Sequence, residues 1–180
     1  MARSHPLPVD PLAEAKRQWL AHGWTDAAGG MSLVVSVMRA QQLLLARVES
    51  TLKPFELSFA RYEVLRLLAF SREGRLPLSS VVARLQVHAT SVSSTADRLV
   101  RDGLVSRHKH PHDGRAALLE LTPEGRALVE DATDALNREV FADPGISEDD
   151  ATDLVAIVAR MRKNAGDFAD PRPQPEPLSP

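Results

Sequence analysis

The amino-acid sequence predicts a mainly α-helical fold with one small β-wing, and three observations carry the prediction. Along most of the chain, apolar residues recur at helical spacing between start and stop signals supplied by Ser, Thr, Asp, Gly and Pro. Only between Leu104 and Leu121 does the pattern change, to two short extendable runs flanking Pro111-His112-Asp113-Gly114, which holds an Asp-Gly turn signal. Two short helical stretches joined at Gln86-Val87-His88 directly precede that hairpin, which reads as a helix-turn-helix followed by a wing. With 180 residues, 43% of them hydrophobic, the chain suits one core with appendages better than two domains.

The elements follow in order. Asp10 as N-cap and Pro11 at the first helical position open a short helix carrying Leu12, Ala15 and Trp19, with Gly23 as its stop. After Gly29-Gly30, Val34, Val37, Met38, Leu44, Leu45, Val48 and Leu52 keep a helical period until Pro54, which predicts a long amphipathic helix. Ser58 caps a third helix containing Tyr62, Leu65 and Leu68 and closed by Gly74. Arg75-Leu76-Pro77 has room for one strand pairing, and a short helix from near Ser79 turns Val82 and Leu85 inward. From Ala89 a further helix buries Val92, Ala96 and Leu99, with Gly103 just past its end. The hairpin strands are Leu104 to Lys109 and Ala116 to Leu121. Thr122 and Pro123 start a helix to about Val140, and Ser147, followed by three acids, opens the last helix with Leu154, Ile157, Val158 and Met161 inward. The tail from Asp170 to Pro180, five prolines in eleven residues, is expected to be disordered.

Composition removes several functions. The absence of cysteine excludes disulfides, thiol-based redox sensing and Cys-containing zinc sites. No apolar run approaches the roughly 20 residues that cross a bilayer, and the N-terminus, with Pro6, Pro8, Asp10 and Pro11, lacks the apolar stretch of a signal peptide, so a cytoplasmic protein with no membrane partner is expected. The net charge of −2 hides a local asymmetry: from Arg84 to Arg115 six Lys/Arg face three acids, and four of the six histidines lie there. That segment is where a nucleic-acid backbone would be met.

At about 100° per residue, an inward Val92 puts Thr90, Ser94, Asp97 and Arg101 on the opposite face of its helix, flanked by Ser91, Ser93 and Arg98. Short hydroxyls near a helix N-terminus approach base edges or phosphates without obstruction, while Arg98 and Arg101 suit phosphates. Asp97 repels phosphate and is better suited to orienting an arginine. In the wing, Lys109 adds positive charge, and Asp113 can lock the Arg115 guanidinium in an extended pose that enters a narrow minor groove. These residues are the candidate contacts to double-stranded DNA.

The order of elements, with Val81-Val82-Ala83-Arg84-Leu85, Ala96-Asp97-Arg98-Leu99-Val100-Arg101-Asp102-Gly103-Leu104-Val105 and Asp113-Gly114-Arg115-Ala116 through Leu121-Thr122-Pro123-Glu124-Gly125, resembles the MarR family of bacterial regulators from roughly Met31 to Phe168. The resemblance implies a winged helix-turn-helix domain with N- and C-terminal dimerisation helices, a recognition helix in the major groove and Arg115 in the minor groove. It also implies a homodimer whose repression is relieved by a small, often aromatic, anionic effector. On that reading residues 1–30 are an N-terminal extension, 31–57 a dimerisation helix, 58–122 the DNA-binding region, 123–169 the C-terminal dimerisation helices and 170–180 the tail. Departures are specific. His88 stands where the family commonly has a Ser, Thr or Asp cap, so that Thr90 or Ser91 caps instead or the histidine has its own role, and Gly114 replaces a frequent second wing arginine. Glu63 and Thr95 occupy positions that are usually Asp and Arg in a urate-responsive branch; the missing arginine argues against urate, although an extra helix with Trp19 and Trp24 is shared. Trp24, Phe59 and Tyr62 are the candidate effector liners, with a place in the core as the alternative.

Rival readings have less support. His108, His110 and His112 alternate and so share a strand face, but no carboxylate or cysteine stands at metal-ligand spacing, and no metal or cofactor is expected. The sequence holds no Gly-rich phosphate loop, no His-Glu-x-x-His, no Gly-x-Ser-x-Gly and no cysteine nucleophile, so an enzyme is not expected. A winged helix used only for protein–protein assembly is the alternative function. The reading adopted is a transcriptional repressor at the nucleoid, bound to a palindromic operator.

Overall fold

These local signals become structure in a computed structural model of the chain, which describes residues 7–85, 88–110 and 113–168, the side chains of residues 110 and 113–116 excepted. Asp10 caps α1 (Pro11–Ala21) by accepting a hydrogen bond from the Leu12 amide at 2.9 Å. α2 (Thr25–Leu52) starts at Thr25 and runs through Gly29-Gly30 instead of beginning after them. Each helical glycine costs about 1 kcal/mol relative to alanine, which a helix of 28 residues absorbs. A 3-10 turn at Lys53–Phe55, containing Pro54, ends it.

The chain divides into two compact units, residues 1–47 and 48–180, with α2 passing from the first into the second. In the first, Trp19 and Trp24 meet edge to face with centroids 5.3 Å apart, and His22 stacks on Trp24 at 5.2 Å.

In the second unit Ser58 caps α3 (Phe59–Phe70) through the Arg61 amide. The helix ends at Ser71, short of Gly74, whose φ of +69° instead turns the chain into β1 (Arg75–Pro77). There follow α4 (Leu78–Leu85), α5 (Ala89–Arg101), β2 (Val105–His110), β3 (Asp113–Leu121), α6 (Pro123–Leu136), a π-helical turn to Phe141, and α7 (Glu148–Asn164). The sheet is antiparallel in the order β1-β3-β2, with Leu76 opposite Leu119 and Arg107 opposite Leu119 on the other side. A shared core joins Leu52 of α2, Leu65 and Leu68 of α3, Leu99 of α5, Leu119 of β3 and Leu136 of α6, all fully buried. Tyr62 belongs to it as well; Thr133 donates to the Val129 carbonyl, which leaves the Tyr62 hydroxyl to donate to Thr133 at 3.2 Å.

Two expectations about burial change. In α4 the fully buried residue is Val81, with Val82 and Leu85 half-buried, because the apolar stripe of Leu78, Val81, Val82 and Leu85 is centred one residue earlier than expected. In α7 no residue is buried: Leu154, Ile157, Val158 and Met161 are 38–46% exposed, and among the described residues of the second unit none closes over their stripe. Most of the α2 stripe is likewise uncovered, with Val34, Val37, Met38, Leu44 and Leu45 exposed and only Val48 and Leu52 buried. The segment Thr25–Phe55 moreover reaches a mean hydropathy of 1.2 and has the length and composition to cross a bilayer, contrary to the expectation that no run approaches that limit. Its Arg39, Arg47 and Glu49 interrupt the apolar surface at intervals.

The end of α5 is tied to the start of α6. Asp102 is the C-cap, the Gly103 amide donates to Val100 and the Leu104 amide to Leu99, closing a Schellman motif around Gly103 at φ +73°. The Leu104 carbonyl then accepts from the Thr122 amide at 3.2 Å, the Thr122 hydroxyl donates to the Gly103 carbonyl at 2.9 Å, and the same hydroxyl oxygen accepts from Gly125. A Cβ on Gly125 would stand 2.1 Å from the Leu104 oxygen. Gly125→Ala should therefore force the two turns apart and destabilise the second unit by roughly 1–3 kcal/mol, read as a lower urea midpoint at unchanged slope; an unaltered midpoint would refute the close approach.

Candidate nucleic-acid interface

α5 starts at His88, whose φ of −56° and ψ of 133° place it as N-cap without a side-chain hydrogen bond. Neither Thr90 nor Ser91 takes over that role: both lie inside the helix, and the Ser91 and Val92 amides donate to the His88 carbonyl. Val92, Ala96 and Leu99 anchor the helix in the core, which leaves Thr90, Ser91, Ser94, Asp97, Arg98 and Arg101 exposed and Ser93 half-buried. The hydroxyls expected on one face are brought together there.

The acids next to the arginines are engaged elsewhere. Asp97 meets Arg107 of β2 at 3.0 Å, and Asp102 pairs with Arg61 of α3, which also donates to the Glu56 carbonyl. Asp97 therefore does orient an arginine, but one on the wing strand that the sequence reading did not name. Its position was legible: Val105 is buried beneath α5, and a strand period of two puts Arg107 on the same face. With both carboxylates engaged, Arg98 and Arg101 form no ion pair among the described residues. Their charge is left to solvent or to an incoming anion.

Lys109 is exposed on β2. Asp113 and Arg115 lie in β3, but the pairing expected between them falls on side chains outside the described residues. His108 bridges the Ser106 hydroxyl at 2.9 Å and the Glu120 carboxylate at 3.2 Å. A register shift between Lys109 and His110 interrupts the alternation that would align the wing histidines, His112 being outside the described residues. Among the described residues no group of three or more His, Asp or Glu is placed to hold a metal.

A cavity of about 550 Å³ opens between α3 and α5, lined by Glu63, Leu85, His88, Ser91, Val92 and Thr95 among others. Trp24, Phe59 and Tyr62 do not line it. Tyr62 is a core residue, Phe59 stacks on it with centroids 6.3 Å apart, and Trp24 lies exposed in the other unit. Partial burial raises the Glu63 carboxyl above its ordinary value. A carboxyl raised in the folded state stabilises it fully below its unfolded value of 4.5 and loses that contribution as pH rises through the folded value. Glu63→Gln should accordingly raise stability at neutral pH and make little difference below 4.5, measured by urea unfolding across pH; an equal effect at both ends would remove desolvation as the cause.

Comparison with known proteins places this geometry. The model of the MarR family matches residues 55–116. Sco5413, a MarR family transcriptional regulator from Streptomyces coelicolor, is 43% identical, with a TM-score of 0.71 over 79% of this chain and 99% of that one. BpsR of Bordetella bronchiseptica, whose DNA binding is regulated by 6-hydroxynicotinic acid, is 27% identical with a TM-score of 0.62 over 69% of this chain and 89% of its own. The transcriptional repressor YetL of Bacillus subtilis (strain 168) is 31% identical over 103 residues, 57% of this chain and 62% of the repressor. The chain thus spans under two thirds of that relative's length, as it does for two further B. subtilis regulators, YhbI at 54% and YdgJ at 65%. With the helix-turn-helix and wing in the same arrangement, and 43% identity over nearly all of the Streptomyces regulator, the chain belongs to the MarR family of transcriptional regulators.

Proposed function

We propose that this regulator is a repressor that binds a palindromic DNA operator as a homodimer and leaves it when a small molecule occupies the protein. One observation carries the reading: an exposed helix face of Thr90, Ser91 and Ser94, backed by Arg98 and Arg101 whose neighbouring acids are engaged elsewhere. The hydroxyl end enters the major groove and reads base edges, Ser93 supports it from the flank, and the two arginines hold phosphates. Lys109 and Arg115 carry the wing to the neighbouring minor groove, with Asp113 setting the arginine's pose and Arg107 fixed against the helix by Asp97.

The exposed apolar stripes of α2 and α7 supply the reason for a dimer, because surfaces of this kind are rarely left to water. In this reading residues 31–57 and 123–169 are the dimerisation helices, residues 1–30 an extension, and residues 58–122 the part that meets DNA. A second copy of the chain, not lipid, covers the stripes, and the protein works in the cytoplasm at the nucleoid without catalysing a reaction. Two-fold symmetry presents the recognition helices roughly 34–36 Å apart to successive major grooves. The named ligand of BpsR supports a small-molecule effector for this chain as well. Such a ligand releases DNA to the extent that it favours a dimer with unsuitable spacing.

Selection of bound fragments from random DNA should enrich a palindrome. On that operator Arg115→Ala should weaken binding, Ser94→Ala should change the preferred base at one position of each half-site, and Arg101→Ala should lower the salt slope by about 1. Gel shifts unchanged by all three substitutions would refute the docking. Sedimentation should give twice the chain mass, and Ile157→Asp should shift it towards the single chain; a monomer that still binds a palindrome would refute the dimer.

A further inference from the structure

We infer that Arg61 is a positioning residue for operator recognition: it fixes α5 against the corner where α2 meets α3, and so sets the distance between the two recognition helices of the dimer. The inference rests on the palindrome-binding reading above and names the residue that sets the spacing.

The corner is held by local bonding. Glu56, the C-cap of the 3-10 turn after α2, has φ +55° and is the one non-glycine residue at positive φ among the described residues. A left-handed conformation is unfavourable for a residue with a Cβ, so its neighbours must hold it there. The Glu56 amide donates to the Lys53 carbonyl at 3.1 Å, and the Glu56 carbonyl accepts from the Arg61 guanidinium at 3.0 Å. Glu49, half-buried in the last turn of α2, accepts the Phe59 amide at 2.9 Å, next to the Ser58 cap that takes the Arg61 amide. The end of α2 and the start of α3 are thereby one piece.

Arg61 joins that piece to α5. Its side chain is only 19% exposed; one terminal nitrogen serves Glu56 and the other pairs with Asp102. Asp102 is the C-cap of α5, and its amide donates to the Arg98 carbonyl at 3.0 Å. The fork therefore grips the recognition helix within one turn of Arg98 and Arg101, the residues proposed to hold phosphates. Packing of Leu65 and Leu68 on Leu99 brings α3 and α5 together without direction, whereas a planar fork with acceptors on two elements also fixes angle and register. The Arg61 Nε is buried with no hydrogen-bond partner among the described residues. A side chain serving stability alone would avoid that cost.

Two-fold symmetry doubles the consequence. A shift of α5 against α2 occurs in both subunits, so the separation of the recognition helices changes by twice the shift. Contacts within one half-site do not depend on that separation. Lengthening an operator by one base pair moves its half-sites apart by about 3.4 Å, which makes spacing the quantity to measure.

Anisotropy titrations should use three duplexes: the selected palindrome, the same palindrome with one base pair added at its centre, and a short duplex holding a single half-site. The wild-type chain should prefer the palindrome to its lengthened form by at least about tenfold. Arg61→Gln should reduce that preference to about threefold or less while leaving half-site affinity within about twofold. Asp102→Asn should reproduce the effect, and the double variant should be no worse than either single one. Arg61→Lys, which keeps the charge without the fork, should fall between wild type and Arg61→Gln and supplies the readout if the glutamine variant does not fold. An equal loss on all three duplexes, a wild-type chain indifferent to the added base pair, or an unchanged preference in the folded variants would overturn the inference. A chain that enriches no palindrome removes the operator reading and this inference with it; a palindrome whose spacing preference ignores Arg61 removes this inference alone.

Discussion

The carbonyl of Leu104 is the point on which the DNA-facing geometry depends. It accepts the Thr122 amide while Gly125, lacking a Cβ, lets the first turn of α6 lie against it. Both ends of the wing are thereby fixed close together, because Leu104 leads into β2 and Thr122 follows β3. The Schellman closure at Gly103 attaches the same point to the end of α5. Three elements that would otherwise move independently, the recognition helix, the wing and α6, share one backbone junction. A one-carbon change at Gly125 acts on all three.

Charge is arranged around that junction so that attraction and orientation are assigned to different residues. Arg61 and Arg107 are used internally, holding Asp102 and Asp97 at either side of α5. Arg98 and Arg101 stay on the surface, where the proposed docking gives them the phosphates. This explains how a chain of net charge −2 offers a local cationic surface: two of the three acids within the basic segment, Asp97 and Asp102, are paired with Arg107 and Arg61. Surface ion pairs of this kind contribute at most about 1 kcal/mol to stability each, so their value lies in placement more than in strength.

Element identity was legible in the sequence wherever a cap and a period agreed. Asp10, Ser58, Thr122 and Ser147 each accept the amide bond expected of an N-cap, and Val92, Ala96 and Leu99 are buried as the helical period requires. What failed had a tertiary origin. Gly29-Gly30 read locally as a break, yet a long helix tolerates both. The stripe of α7 was read correctly as apolar but wrongly as inward, because periodicity reports that a face avoids water and says nothing of which chain covers it. The cavity depends on contacts between elements distant in sequence, and only the separate remarks on Glu63 and Thr95 pointed towards it, whereas the strand period already placed Arg107 on the face of Val105.

α5 is the element in which core packing and the proposed DNA contacts converge, and its sequence divides them by angle. Val92, Ala96 and Leu99 face the core; Thr90, Ser94 and Arg101 lie on the opposite side; Ser91 and Thr95 form an intermediate row at the cavity, continued one turn later by Arg98. Because the helix is joined to the wing and α6 through Leu104, a small tilt of α5 cannot be relieved locally and must carry the wing with it. Whatever positions α5 then positions the wing as well, which needs no long pathway, only a helix packed too well to bend.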